Sequence, residues 1–201
     1  MVGKTAKGEI SRDNLIEAAG RVFQRQGFAE TTVRHIANEA GVALGGLYRH
    51  FSSKDEFIAI VLAEGMRDIN QQVRDAVEAC PPGTEFRSLL KAAIKAQVTA
   101  TRQKGASFDL AVRYERSEGK QDSVWRPYQE EVARYRKFWR EMIETAQRKG
   151  ILRQDAQATL LNFFLLGAVS WVSQWYRPGR RSVDRIAEDF TEFFLNGSRQ
   201  P

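Results

Sequence analysis

The chain has a single cysteine, Cys80, so it closes no internal disulfide and must be held by a buried core instead. It has five prolines and no low-complexity stretch, which excludes a disordered or fibrous chain. The opening residues, MVGKTAKGEISRDN, lack the apolar core of a signal peptide. The longest apolar run, Ala158 to Val172, falls short of the roughly 20 residues a bilayer needs and carries Asn162 and Ser170. A cytoplasmic protein with no membrane partner is therefore expected. Histidine is scarce as well, with only His35 and His50. There is no H-E-x-x-H, C-x-x-C, G-x-G-x-x-G or P-loop pattern. No catalytic residue, metal site or cofactor is expected, although chemistry by carboxylates alone stays open.

Positive charge and helical periodicity are what the chain does have. Thirty-one Lys and Arg against twenty-five Asp and Glu leave a net charge of +6, which favours a polyanionic partner. Half of that excess lies in residues 1–54, where Lys4, Lys7, Arg12, Arg21, Arg25, Arg34, Arg49 and Lys54 face five acidic residues. Apolar residues recur at helical spacing along nearly the whole chain, with no sustained alternation that would argue for strands. The fold class expected is all-α, with about nine helices. Ser11 can cap a first helix ending at Gly27, and Thr31 or Thr32 a short second one stopped by Gly41. A third helix carries Leu47, Tyr48 and Phe51. Ser53 with Glu56 forms a capping box that opens a long fourth helix, running to about Cys80. Further helices are expected at 84–104, 106–117, 124–149, 155–176 and 183–196, punctuated by Gly105, Gly119, Gly150 and Pro178-Gly179. Residues 1–54 form one expected unit and 55–201 an antiparallel helical bundle.

The second helix, the break at Gly41-Val42-Ala43 and the third helix have the proportions of a helix-turn-helix. The segment TTVRHIANEAGVALGGLYRHFSSKDEF, with AAGRVFQRQGF before it, resembles the N-terminal domain of the TetR family of bacterial transcriptional regulators. The match is close over about residues 11–60. The resemblance implies a DNA-binding regulator, usually a homodimer built on its last two helices. Thr32 and the amides opening the second helix suit a phosphate, while Tyr48 and His50 offer polar tips that set register. Lys54 adds a charge where the family contacts the DNA backbone. Base reading falls to Ala43, Leu44, Gly45 and Gly46, with Arg34 and Arg49 able to bond guanine or phosphate. The chain departs from the family at Ala43, where a capping serine is common, and in its two adjacent glycines. Those glycines are read as allowing close backbone approach to DNA. Lys4 and Lys7 leave two readings open, a solvated tail or a basic arm in the minor groove.

Fifteen of the twenty-one aromatic residues lie beyond position 107, including all four tryptophans. Trp125, Tyr128, Val132, Tyr135, Trp139 and Met142 make a stripe at helical spacing whose default role is core packing. The apolar circumference around Leu160 to Val169 suits a helix buried between its own bundle and a second subunit, with Ile186, Phe190, Phe193 and Phe194 on the other dimer helix. Dimerisation predicts a palindromic operator on double-stranded DNA. A small hydrophobic effector is expected against Phe108, Tyr114, Phe138, Met142, Phe164, Trp171 and Trp175. The segment WVSQWYRPGRRS looks like that of family members sensing acyl-coenzyme A thioesters, with Arg177 and its neighbours Arg180 and Arg181 holding a phosphate. A solvated arginine loop is the competing reading, and Arg134, Arg136, Lys137 and Arg140 read as an exposed face. Two alternatives to a ligand-released repressor remain: an efflux regulator answering a drug-like molecule, and a ligand-independent DNA organiser.

Overall fold

A computed structural model describes residues 12–26, 30–115, 123–176, 179 and 181–198, and gives the backbone alone for residue 24, 103–115, 173–174 and 198. Among the described residues every regular element is helical: α1 (Arg12–Gln26), α2 (Val33–Glu39), α3 (Leu44–Leu47), α4 (Lys54–Glu78), α5 (Phe86–Glu115), α6 (Arg126–Arg148), α7 (Ala158–Ser170), α8 (Val172–Trp175) and α9 (Val183–Ser198). A single 3-10 turn, Ser123–Trp125, leads into α6.

Local chemistry sets most of the ends. Thr32 caps α2 and Ser53 caps α4, each side chain accepting the backbone N–H three residues on. Glu56 closes its box one residue earlier than the sequence suggests, accepting from the N–H and hydroxyl of Ser52 at 2.6 and 2.5 Å. These bonds hold the Glu56 carboxyl below the usual carboxylate range. Helix α6 ends in a Schellman turn: Gly150 sits at φ +67°, and Ile151 N–H reaches back to the carbonyl of Ala146 at 2.9 Å.

Two expected boundaries are wrong. Gly105 does not divide α5, which runs through it as one helix of 30 residues. A lone interior glycine costs only about 1 kcal/mol relative to alanine, less than breaking the hydrogen-bonded ladder on both sides. Conversely, the expected 155–176 helix is broken at Trp171, whose ψ of −11° tightens the turn between α7 and α8. Helix α3 is also shorter than expected, since residues 48–50 are turn rather than helix.

Two cores result. Leu15, Ala18, Val22, Phe23, Ile36, Leu47 and Phe51 close the small N-terminal one. The larger is built on α4, α5 and α6, with Trp139, Ile143, Leu90 and Ile94 fully buried. Helix α4 belongs to both, giving Phe57, Ile60 and Val61 to the first and Ile58, Ala59 and Leu62 to the second. Helices α4 and α6 run parallel, because Arg67 pairs with Glu131 while Arg74 lies on Phe138, each seven residues further along. Glu131 is buried and accepts from Arg67 at 3.0 Å and Arg134 at 2.5 Å, while its carbonyl takes Asn70. Helices α5 and α9 run antiparallel under a ladder of ion pairs: Arg87 with Glu188 and Glu192, Lys91 with Glu188, and Lys95 with Asp184. Among the described residues no helix is long and apolar enough to cross a membrane.

Candidate nucleic-acid interface

The angle between α2 and α3 is set by a glycine. Gly41 stands at φ +71°, where other residues are strained, and Val42 N–H then bonds the carbonyl of Ala37 at 2.9 Å. The chain therefore reverses within Ala40–Ala43, and Ile36, Ala37, Leu47 and Phe51 are buried between the two helices and α1. Phe51 meets Phe57 edge to face at 4.8 Å, which fastens the motif to the first turn of α4.

Two of the basic residues near the motif are committed elsewhere. Arg21 and Arg25 of α1 grip opposite oxygens of Glu39 at 3.0 and 2.8 Å. Arg25 first, then Arg21, holds the Glu39 carboxyl below its usual range. Arg34, Arg49 and Lys54, by contrast, are exposed and make no ion pair among the described residues. Thr32, Tyr48 and His50 are exposed as well.

The N-cap of α3 is Ala43, which makes no capping side-chain bond, as the departure from the family pattern implied. Beyond it the two glycines differ. A Cβ added at Gly45 would meet nothing within 4 Å, whereas one at Gly46 would lie 3.4 Å from Val42 Cβ. Gly45 thus presents bare backbone outward.

Sequence reasoning missed the role of His35. Its Nδ1 takes the Thr32 N–H at 3.3 Å, while Thr32 Oγ1 takes the His35 N–H at 3.2 Å. The imidazole fills the place that glutamate or glutamine holds in a capping box. Gln26 Nε2 lies 2.8 Å from the same nitrogen and also donates to the Glu30 carbonyl, tying α1 to the start of α2. The Thr-x-x-His spacing was the available signal.

The residues expected around an effector are not gathered in one place. Phe138 and Met142 line a cleft of about 540 Å³ between the C-terminal halves of α4 and α6. Phe164, Trp171 and Trp175 are exposed on the α7–α8 side instead, with Phe164 stacked on Phe194 of α9. They lie there because Leu165, Leu166 and Val169 already fill the inward face of α7. The side chains of Phe108 and Tyr114, and Arg177 and Arg180 entirely, lie outside the described residues, as do Lys4, Lys7 and Ser11. Arg181 is paired with Asp189 at 2.6 Å. On α6, Arg134, Lys137 and Arg140 pair along their own helix with Glu130, Glu141 and Glu144, an exposed face as expected.

The sequence matches a model of bacterial regulatory proteins of the tetR family over residues 15–60, and a tetracyclin repressor-like C-terminal domain over residues 83–198. The HTH-type transcriptional repressor KstR2 of Rhodococcus jostii is 30% identical over 200 residues, covering 94% of this chain and 92% of the relative. The solved structure of the ketosteroid transcriptional regulator KstR2 of Mycobacterium tuberculosis superposes with a TM-score of 0.69 at 24% identity, over 100% of this chain and 99% of that one. The transcriptional regulator FadR of Bacillus subtilis, solved in complex with stearoyl-CoA, gives 0.70 at 16% identity, over 93% and 99%.

Proposed function

Since the chain belongs to the tetR family of bacterial regulatory proteins, a family of DNA-binding regulators rather than enzymes, we propose that it is a ligand-responsive transcriptional repressor acting on a palindromic operator as a homodimer. The observation that carries this reading is the outer side of the motif. Arg34, Arg49 and Lys54 are exposed with no ion pair among the described residues and Gly45 is left open, while Arg21 and Arg25 of α1 share the carboxylate of Glu39. Thr32, Tyr48, His50 and Lys54 contact phosphates, and the Ala43–Gly46 edge, with Arg34 and Arg49, reads bases.

Apolar side chains left exposed among the described residues support dimerisation. Leu160, Phe163, Phe164 and Trp171 recur at helical spacing on one side of α7, and Phe193 on α9 is 71% exposed. Pairing two copies across α7 and α9 buries this surface and holds two recognition elements about 34–36 Å apart, one turn of DNA. The effector proposed is an acyl-coenzyme A thioester. KstR2, the relative at 30% identity, is named a repressor, and the same fold accommodates stearoyl-CoA in FadR. Effector binding would act through α4, which packs in both cores.

The test is binding of the full chain to the DNA beside its own gene and to random duplex at fixed salt, with and without stearoyl-CoA. Selective binding released by the thioester is the expected result. Selectivity unmoved by it would remove the effector, and equal affinity for both duplexes would favour a non-specific organiser.

A further inference from the structure

The cleft beside Phe138 has the features of a small-molecule site in its own right. Its floor and walls are Val77, Phe86, Leu89, Phe138, Met142 and Ile151, and its volume of about 540 Å³ falls within the range of ordinary ligand sites. Four charged side chains line it, Arg74, Glu85, Glu141 and Lys149, and they are not equivalent. Glu85 and Lys149 are exposed to solvent. Glu141 is exposed and pairs with Lys137 at 3.7 Å along the outside of α6. Arg74 alone is committed to the apolar interior. It is half-buried, and its guanidinium lies 4.8 Å from the centroid of the Phe138 ring.

That contact leaves the guanidinium incompletely served. Arg74 makes no hydrogen bond or ion pair among the described residues, although it carries five N–H donors in a rigid fork. A weakly hydrated cation held over an aromatic face keeps N–H donors to spare, and a guanidinium can give two of them to one carboxylate. We infer that the cleft binds an organic acid with an apolar alkyl or alicyclic body. The carboxylate engages Arg74, and the body lies along Phe138, Met142, Phe86 and Leu89.

This site shares Phe138 and Met142 with the effector expected from the sequence, but it needs neither the Arg177 loop nor a thioester. Tyr176, which precedes the loop of Arg177, packs on Arg102. Along α5 that is 13 residues from Leu89, roughly 20 Å at the helical rise. The inference therefore stands or falls without reference to stearoyl-CoA or to DNA.

The experiment uses full-length protein labelled with 13C at its methionine methyls. There are three methionines, of which Met142 lines the cleft and Met66 is buried in the bundle core, so one resonance reports and another controls. The probes are decanoate, decanol and decylammonium, each below its micelle concentration. Decanoate is expected to shift the Met142 methyl saturably while Met66 stays still, and to bind at least tenfold more tightly than either other probe. Arg74→Gln should weaken decanoate about tenfold and decanol less than twofold. Phe138→Leu, which keeps the cleft apolar but removes the ring under the guanidinium, should weaken decanoate about threefold. The proposal is overturned if Met142 does not respond, if decanol binds as tightly as decanoate, if decylammonium binds more tightly, or if Arg74→Gln leaves decanoate affinity unchanged.

Discussion

Gly45→Ala separates the stability of the recognition element from its contact with DNA. Gly45 is the second residue of α3, its φ is not positive, and an added methyl meets no atom within 4 Å. Replacing glycine by alanine at a compatible helical position stabilises a fold by about 0.4–1 kcal/mol, chiefly by restricting the unfolded chain. For a chain of this length that is a rise in Tm of about 1–4 °C. The same methyl stands on the face proposed to meet DNA backbone or base edges, so operator affinity should fall at least tenfold, about 1.4 kcal/mol. Thermal unfolding and fluorescence anisotropy with the duplex beside the gene measure the two effects on one sample. A higher Tm with undiminished affinity would refute the close-approach reading. A lower Tm would refute the claim that the site is open. Gly46→Ala is the internal contrast, because its methyl meets Val42 in van der Waals contact at 3.4 Å instead of standing in open space.

Lys54→Ala should weaken operator and random duplex alike and lower the salt slope of binding by about 0.9 for one lost phosphate contact, read from titrations at several salt concentrations. Phe193→Glu should convert the proposed dimer to monomer in light scattering at micromolar concentration, since it places a charge on the exposed apolar side of α9 while Phe194 beneath stays buried. Acid should loosen α9 and the motif. Glu188 is held below its usual range by Lys91 and then Arg87, Asp184 by Lys95, and Glu39 by Arg25 and then Arg21. Carboxyls lowered in the folded state contribute stability in full above their unfolded values, near 3.9–4.3, and lose it as pH falls through the lowered folded ones. Urea midpoints should thus be level from pH 7 to about 5 and drop below about pH 4, and high salt should flatten the drop. A midpoint unchanged down to pH 3 would contradict those pairings.

The sequence by itself determined what depends on neighbours in the chain. A positive-φ glycine at Gly41, a cap at Ser53 and another at one of two threonines, found at Thr32, a missing cap at Ala43 and a core stripe from Trp125 to Trp139 all rest on spacings of a few residues; of that stripe only Met142 borders a cleft instead. Helical class and the motif were legible for the same reason. Tertiary structure decided everything that needs a partner from elsewhere in the chain. Periodicity shows that Phe138 and Phe164 each lie on an apolar side of a helix, but not that one borders a cleft beside α4 while the other stays uncovered on α7. Nor can it show that Arg21 and Arg25 are withdrawn by Glu39, 18 and 14 residues away, while Arg34 and Arg49 stay available. Charges at such distances pair only once helices pack, and the continuity of α5 through Gly105 likewise follows from a ladder stronger than one weak residue. Which basic residues are free, and which aromatic faces remain open, is decided by what the packed helices cover.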